Sequence, residues 1–81
     1  MTELVHQLVG YDRKTERIAF EHDFRPEEWR IVRKFLRAES DDPEMVDTYP
    51  VDRPTVRDII GIINDGALAD LDYFIECSAR D

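Results

Sequence analysis

The chain of 81 residues has one cysteine, three glycines and four prolines, and each scarcity excludes something. A lone Cys77 cannot close an internal disulfide, so the staple of small secreted domains is missing and a reducing cytosol is the expected setting. So few glycines rule out a phosphate-cradling loop of the G-x-x-x-x-G-K type, and neither a C-x-x-C pair nor a Ser-His-Asp signature is present. No cofactor is therefore expected. No apolar run approaches the ~18 residues that span a bilayer, and the start, Met-Thr-Glu-Leu-Val-His, lacks a cationic region followed by an apolar one. The chain is expected to be cytoplasmic and without membrane contact. Cations are also few, eleven against nineteen acids, for a formal net charge of −8 and a pI near 4.6. Such a field repels phosphate backbones at long range, so nucleic acid is not an expected partner.

What is present suffices for a fold. Hydrophobic residues make up 42% of the chain, with four Phe, three Tyr and one Trp, so residues 1–81 read as one small α+β domain with a thin core. Residues 3–11 and 16–24 are rich in β-branched and aromatic types around the polar stretch Asp12-Arg13-Lys14-Thr15, the pattern of a hairpin. In the second strand Ile18, Phe20, His22 and Phe24 share a face by period-2 alternation. The first strand is apolar on both faces, Leu4 and Leu8 on one and Val5, Val9 and Tyr11 on the other, which a central position would explain.

Pro26 with Glu27 and Glu28 opens a helix. At 100° per residue, Trp29, Ile31, Val32, Phe35, Leu36 and Ala38 fall on one half of the wheel and Arg30, Arg33, Lys34 and Arg37 on the other. Asp42 before Pro43 predicts one short helical turn, and Thr48 to Val51 reads as extended. Asp52 caps a second helix whose Val56, Ile59, Ile60, Ile62 and Ile63 share a face before Asn64-Asp65-Gly66 ends it. Gly61 within it costs about 1 kcal/mol against Ala, and either close backbone packing or no role at all would explain it. Residues 71–77 fit a last strand, given Tyr, Phe and Ile in succession. The predicted order is strand, strand, helix, short turn, helix, strand: a three-stranded antiparallel sheet with two helices on one face. Its expected core is Leu4, Leu8, Ile18, Phe20, Trp29, Val32, Phe35, Leu36, Ile59, Ile60 and Ile63.

The motifs Y-D-x-x-T-E, D-D-P-E-M-x-D-x-Y-P-V and D-Y-F-I-E-C resemble small bacterial domains of unknown function with a similar hairpin, helix, helix, strand layout. They are capping, turn and strand signatures, and the resemblance implies no chemistry.

Three constellations bear on function. A hairpin pairing 12 with 16 makes His6 and His22 cross-strand neighbours, which with Cys77 form a candidate metal or ligand site, against the plainer reading of two histidines near a sheet end. The acids Glu39, Asp41, Asp42, Glu44 and Asp47 lack the alternation and turn glycine of a calcium loop, so capping accounts for them. The cations Arg30, Arg33, Lys34 and Arg37 are a solvated helix face or a contact patch for an acidic partner, with no interleaved exposed aromatic to stack a base. The expected function is a non-enzymatic protein-interaction module, immunity-type or adaptor-like. It would pair with a protein partner or with itself as a homodimer through Val5, Val9 and Tyr11. The alternative is a metal- or ligand-binding protein or enzyme using His6, His22 and Cys77.

Overall fold

The computed structural model describes residues 3–36, 42, 44–63 and 70–80. Strands β1 (Glu3–Tyr11) and β2 (Ile18–Asp23) form the hairpin and helix α1 (Pro26–Val32) follows, ending in one 3₁₀ turn, Arg33–Phe35. A short strand β3 (Tyr49–Val51), helix α2 (Arg53–Ile63) and strand β4 (Asp72–Arg80) complete the order. All pairings are antiparallel, and the sheet runs β2-β1-β4-β3. Four strands therefore replace the expected three. The extra one is the extended Thr48 to Val51 segment, whose Pro50 lacks the N–H of a ladder donor and so suits an edge strand. The two-sided apolar character of β1 matches its place between β2 and β4.

The ends of both helices are set locally. Pro26 occupies the first turn of α1, and the Glu28 carboxylate reaches back to accept the Arg25 backbone N–H at 2.8 Å. Asp52 caps α2, its Oδ1 accepting the Thr55 N–H at 3.0 Å. Leu8, Phe24, Tyr73 and Ile75 of the sheet side bury themselves against Val32 of α1 and Val56, Ile59, Ile60 and Ile63 of α2, while Trp29, Phe20 and Leu36 pack around this cluster.

Three residues expected in the core lie outside it: Leu4 is 42% exposed, Ile18 55% and Phe35 48%. The Asp12 N–H donates to the Arg17 carbonyl, so the turn is one residue longer than a 12-to-16 pairing assumes. A bulge then skips Ala19, because Gly10 pairs Phe20 while Tyr11 pairs Ile18. The two single steps restore the face of Phe20 and His22 but leave Ile18 out of the alternation. Phe35 is exposed because the chain beyond Val32 winds as a 3₁₀ turn, where a 100° wheel no longer places side chains.

Gly61 sits on the exposed side of α2, with nothing within 4 Å of where a Cβ would stand. Close packing does not explain it. Gly61→Ala is expected to raise stability by about 0.5–1 kcal/mol through helix propensity alone, read as a higher urea midpoint at unchanged m-value. Gly10 differs: its Cβ would lie 2.8 Å from Leu71 Cδ1 and 3.0 Å from the ring of Tyr73, its cross-strand partner. Here the glycine lets an aromatic ring lie across the strand.

Candidate functional site

Register decides which candidate residues meet. In β1 the even positions turn toward the helices and the odd ones away from them, and the pairings carry this parity across the sheet. His6 pairs Cys77, whereas His22 pairs Leu8, so the two histidines are not cross-strand neighbours. The longer turn and the bulge account for the two-residue difference.

His6 is buried at 7% exposure, its ring stacked on Trp29 with centroids 3.9 Å apart and planes 8° from parallel. Its Nε2 lies 2.9 Å from the Glu44 carbonyl oxygen, so one imidazole ties β1 to α1 and to the segment before β3. Trp29 also stacks against Phe24 at 5.7 Å. Cys77 is half-buried, and burial together with the Asp42 carboxylate pushes its thiol above the ordinary range, keeping it protonated and a poor nucleophile or ligand. His22 turns to the buried Glu28, its Nε2 3.1 Å from Oε1. Burial pushes Glu28 up, but the Arg25 backbone N–H, the His22 bond and the Arg25 guanidinium outweigh it and hold the carboxyl low. His6, His22 and Cys77 therefore split between two settings. No group of three or more His, Cys, Asp or Glu among the described residues is placed to hold a metal ion.

Next to His6 a cleft of about 360 Å³ opens between the start of β1 and α1, lined by Leu4, Val5, Trp29, Arg30 and Arg33. Arg30, Arg33 and Lys34 are exposed, as an outward helix face requires, and Arg37 lies outside the described residues. Trp29, assigned above to the core alone, thus has one side in the hydrophobic cluster and another at this cleft.

The segment before β3 is organised by Asp42. Its carboxylate accepts the backbone N–H groups of Val46 at 2.9 Å and Asp47 at 3.0 Å and the hydroxyl proton of Tyr49. This is the physical content of the D-D-P-E-M-x-D-x-Y motif. The Tyr49 bond first, then the two backbone bonds, hold the Asp42 carboxyl below its ordinary range.

The sheet face opposite the helices is the other candidate surface. The odd positions of β1, Glu3, Val5, Gln7, Val9 and Tyr11, share it with Glu21 and Asp23 of β2 and with the even positions of β4, Asp72, Phe74, Glu76, Ser78 and Arg80. Its polar groups form a lattice: Arg80 donates to Asp23 at 2.7 Å, Gln7 donates to Asp23 at 2.7 Å, and Ser78 donates to Gln7 at 3.0 Å. The Tyr11 hydroxyl donates to Glu76, which raises its own pKa, and its ring meets Phe74 edge-on at 5.7 Å. Between these groups Val9 is only 1% exposed, so of the three residues expected to offer an apolar contact, Val5 and Tyr11 are half-buried and Val9 is unavailable. Phase alone puts Phe74 and Glu76 on this face once β4 is paired, a signal the sequence carries but that needs the register to be read.

Fold and site together define a small α+β domain: an antiparallel sheet with both helices on one face and an acidic polar lattice on the other. The chain belongs to the family described as "Domain of unknown function (DUF7683)", whose model matches residues 6–76. No curated protein and no solved structure matches it. The matched span contains His6, Trp29, Asp42, Tyr49 and Glu76, so the links between strand, helix and the segment before β3 lie within the family's common length.

Proposed function

We propose that this chain is a non-enzymatic, adaptor-like binding module that seats a basic protein on the helix-free face of its sheet. One observation carries the reading: strand parity collects Glu3, Glu21, Asp23, Asp72 and Glu76 on one face, which carries the aromatic pair Tyr11 and Phe74 at the end where β1 finishes and β4 begins. The cations there, Arg80 and the Arg13 that bonds Asp72, are each engaged with an acid, which leaves the face net acidic. Acids spread along the face steer a basic surface, and the aromatic pair at its end offers an anchor, the usual division of labour between charge and buried anchors. The same acids oppose a second copy of the chain and repel nucleic acid and anionic lipid, and no described helix is long and apolar enough to cross a membrane. A cytosolic setting, where Cys77 stays reduced, goes with this reading.

The test is cross-linked capture from the native cells by the wild type and by the combined variant Glu3→Gln, Glu21→Gln, Glu76→Gln. Wild type is expected to retain a basic protein, with yield falling as salt rises, and the variant to retain at least tenfold less at an unchanged circular dichroism spectrum. Equal capture by both, or capture indifferent to salt, would overturn the assignment. Light scattering on the isolated chain covers the competing outcome, since a dimer broken by the same substitutions would place a second copy on this face.

A further inference from the structure

Two contacts on the helix-free face of the sheet constrain each other. Glu76 pairs with Gln7, four residues back along β1 from Tyr11, a distance of about 13 Å at the ~3.3 Å rise of a strand. Yet the Tyr11 hydroxyl donates to Glu76 Oε2. Neither side chain covers that distance alone, so the Tyr11 ring lies back along its own strand and Glu76 leans along β4 to meet it. The side chain beneath the ring is Val9, which accounts for an apolar residue of the open face being only 1% exposed. Tyr11 itself is half-buried, as one covered ring face requires. Phe74, opposite Val9 on β4, meets the Tyr11 ring with the two planes 74° apart and so forms a wall beside it. Glu21, exposed, faces Val9 from β2 on the other flank. The phenol is held above its ordinary range first by its bond to Glu76, then by burial and by the charges of Glu76 and Glu21, so both acids lie close to it. Arg80, a cation of this face, is committed to Asp23 by a 2.7 Å bond and acts on Glu21 through space.

Resting on the reading of this face as the seat of a basic protein, we propose that Tyr11 is the stacking platform for an arginine of that partner. The guanidinium lies on the outer face of the Tyr11 ring, against Phe74, and donates from its edges to Glu21 on one flank and to Glu76 at the tip of the ring. Shape selects the residue where charge alone would not. A guanidinium is planar, weakly hydrated and carries its donors around its rim, so it stacks on an aromatic ring and reaches two carboxylates at once. A lysine ammonium is a compact, strongly hydrated point charge that gains less from the ring and cannot lie flat on it. The two carboxylates are free to serve in this way. Glu76 spends one oxygen on the Tyr11 hydroxyl and has the other for a guanidinium N–H, in a charge-assisted bond. The tether from hydroxyl to Glu76 also fixes the ring before the partner arrives, which lowers the ordering cost of docking.

The probes are acetyl-(Gly-Arg)₄-amide and acetyl-(Gly-Lys)₄-amide, equal in charge, titrated into isotope-labelled full-length protein. Both are expected to bind, the arginine peptide about fivefold more tightly and with saturable shifts of the Tyr11 and Phe74 ring signals. Tyr11→Leu should bring the arginine peptide down to the affinity of the lysine peptide and leave the lysine peptide nearly unchanged. Tyr11→Phe, which keeps the ring and drops the tether, should retain part of the preference. Equal binding of the two peptides by wild type, or a preference for arginine that survives Tyr11→Leu, would overturn the arginine platform while leaving the acidic face as the seat of a basic protein. Binding by neither peptide would overturn the platform as well, and the capture experiment, which changes Glu3, Glu21 and Glu76 and leaves Tyr11 in place, then decides the face on its own.

Discussion

Ile59→Ala is expected to lower the unfolding free energy by about 2–5 kcal/mol, the largest loss from any single truncation in α2. Ile59 has 0% exposure and sits in the cluster with Leu8, Val56 and Ile75, so removing its outer carbons leaves a cavity that α2, pressed on the sheet, cannot collapse around. In a domain of this length total stability is on the order of 5 kcal/mol, and the variant should be substantially unfolded at 37 °C. The informative control is Leu4→Ala. A reading of alternation alone places Leu4 with Leu8 in the core, but at 42% exposure it should cost under about 1 kcal/mol. Urea denaturation of the two variants checks the pair, and comparable losses would mean that the core extends to the start of β1.

The element types were legible in the sequence because each has a local cause. Pro26 and Asp52 mark helix starts through backbone groups within a turn of themselves, and the 3.6-residue spacing of Val56, Ile59, Ile60 and Ile63 needs only one face to be buried. The central place of β1 could be read from apolar residues on both its faces. Register was not legible, because it depends on an Asp12 to Arg17 turn closure and on a bulge at Ala19, and neither leaves a mark in alternation until the partner strand is laid beside it. Those two residues separate His6 from His22, while the register of β1 with β4 brings Cys77 to His6. The three-residue β3 is too short to alternate, and its pairing comes from β4, more than twenty residues away. The cleft was hidden for a similar reason: it exists because β1 starts four residues before its pairing with β2 begins, a difference in strand lengths that periodicity does not report. Arg30 and Arg33, by contrast, were visible from the helical wheel.

Acid should unfold this protein in a window set by its bonded carboxylates, and Asp42→Asn should narrow that response. In the folded chain Asp42 is held low by the Tyr49 hydroxyl and the Val46 and Asp47 amides. Asp23 is held low by Arg80 and Gln7, and Asp12 and Asp52 by bonds in their own turns. Glu28 is low as well, despite its burial. In the unfolded chain these groups return to about 3.9 for Asp and 4.3 for Glu. Between the folded and unfolded values the unfolded chain binds more protons, so stability rises with pH there. The contribution of these carboxylates is fully present above the unfolded values, so they leave the urea midpoint unchanged from about pH 6 upward, and it is lost as pH falls below about 5 through the folded values. Asp42 stands out because its ligands anchor a whole segment: Met45, 2% exposed, is packed behind it with φ at +53°, and the adjacent Glu44 carbonyl lies against the His6 ring nitrogen. An amide at position 42 offers one acceptor oxygen where a carboxylate offers two, so it cannot serve the Val46 and Asp47 amides and the Tyr49 hydroxyl together. Asp42→Asn is expected to lower the neutral-pH midpoint clearly, and to converge toward wild type as pH falls through the lowered folded value, where the native carboxylate is protonated in its turn. Tyr49→Phe, which removes only the hydroxyl donor, should reproduce a smaller part of both effects. A variant as stable as wild type at pH 7, or one whose acid limb runs parallel to it, would show that the segment before β3 is held without the Asp42 carboxylate.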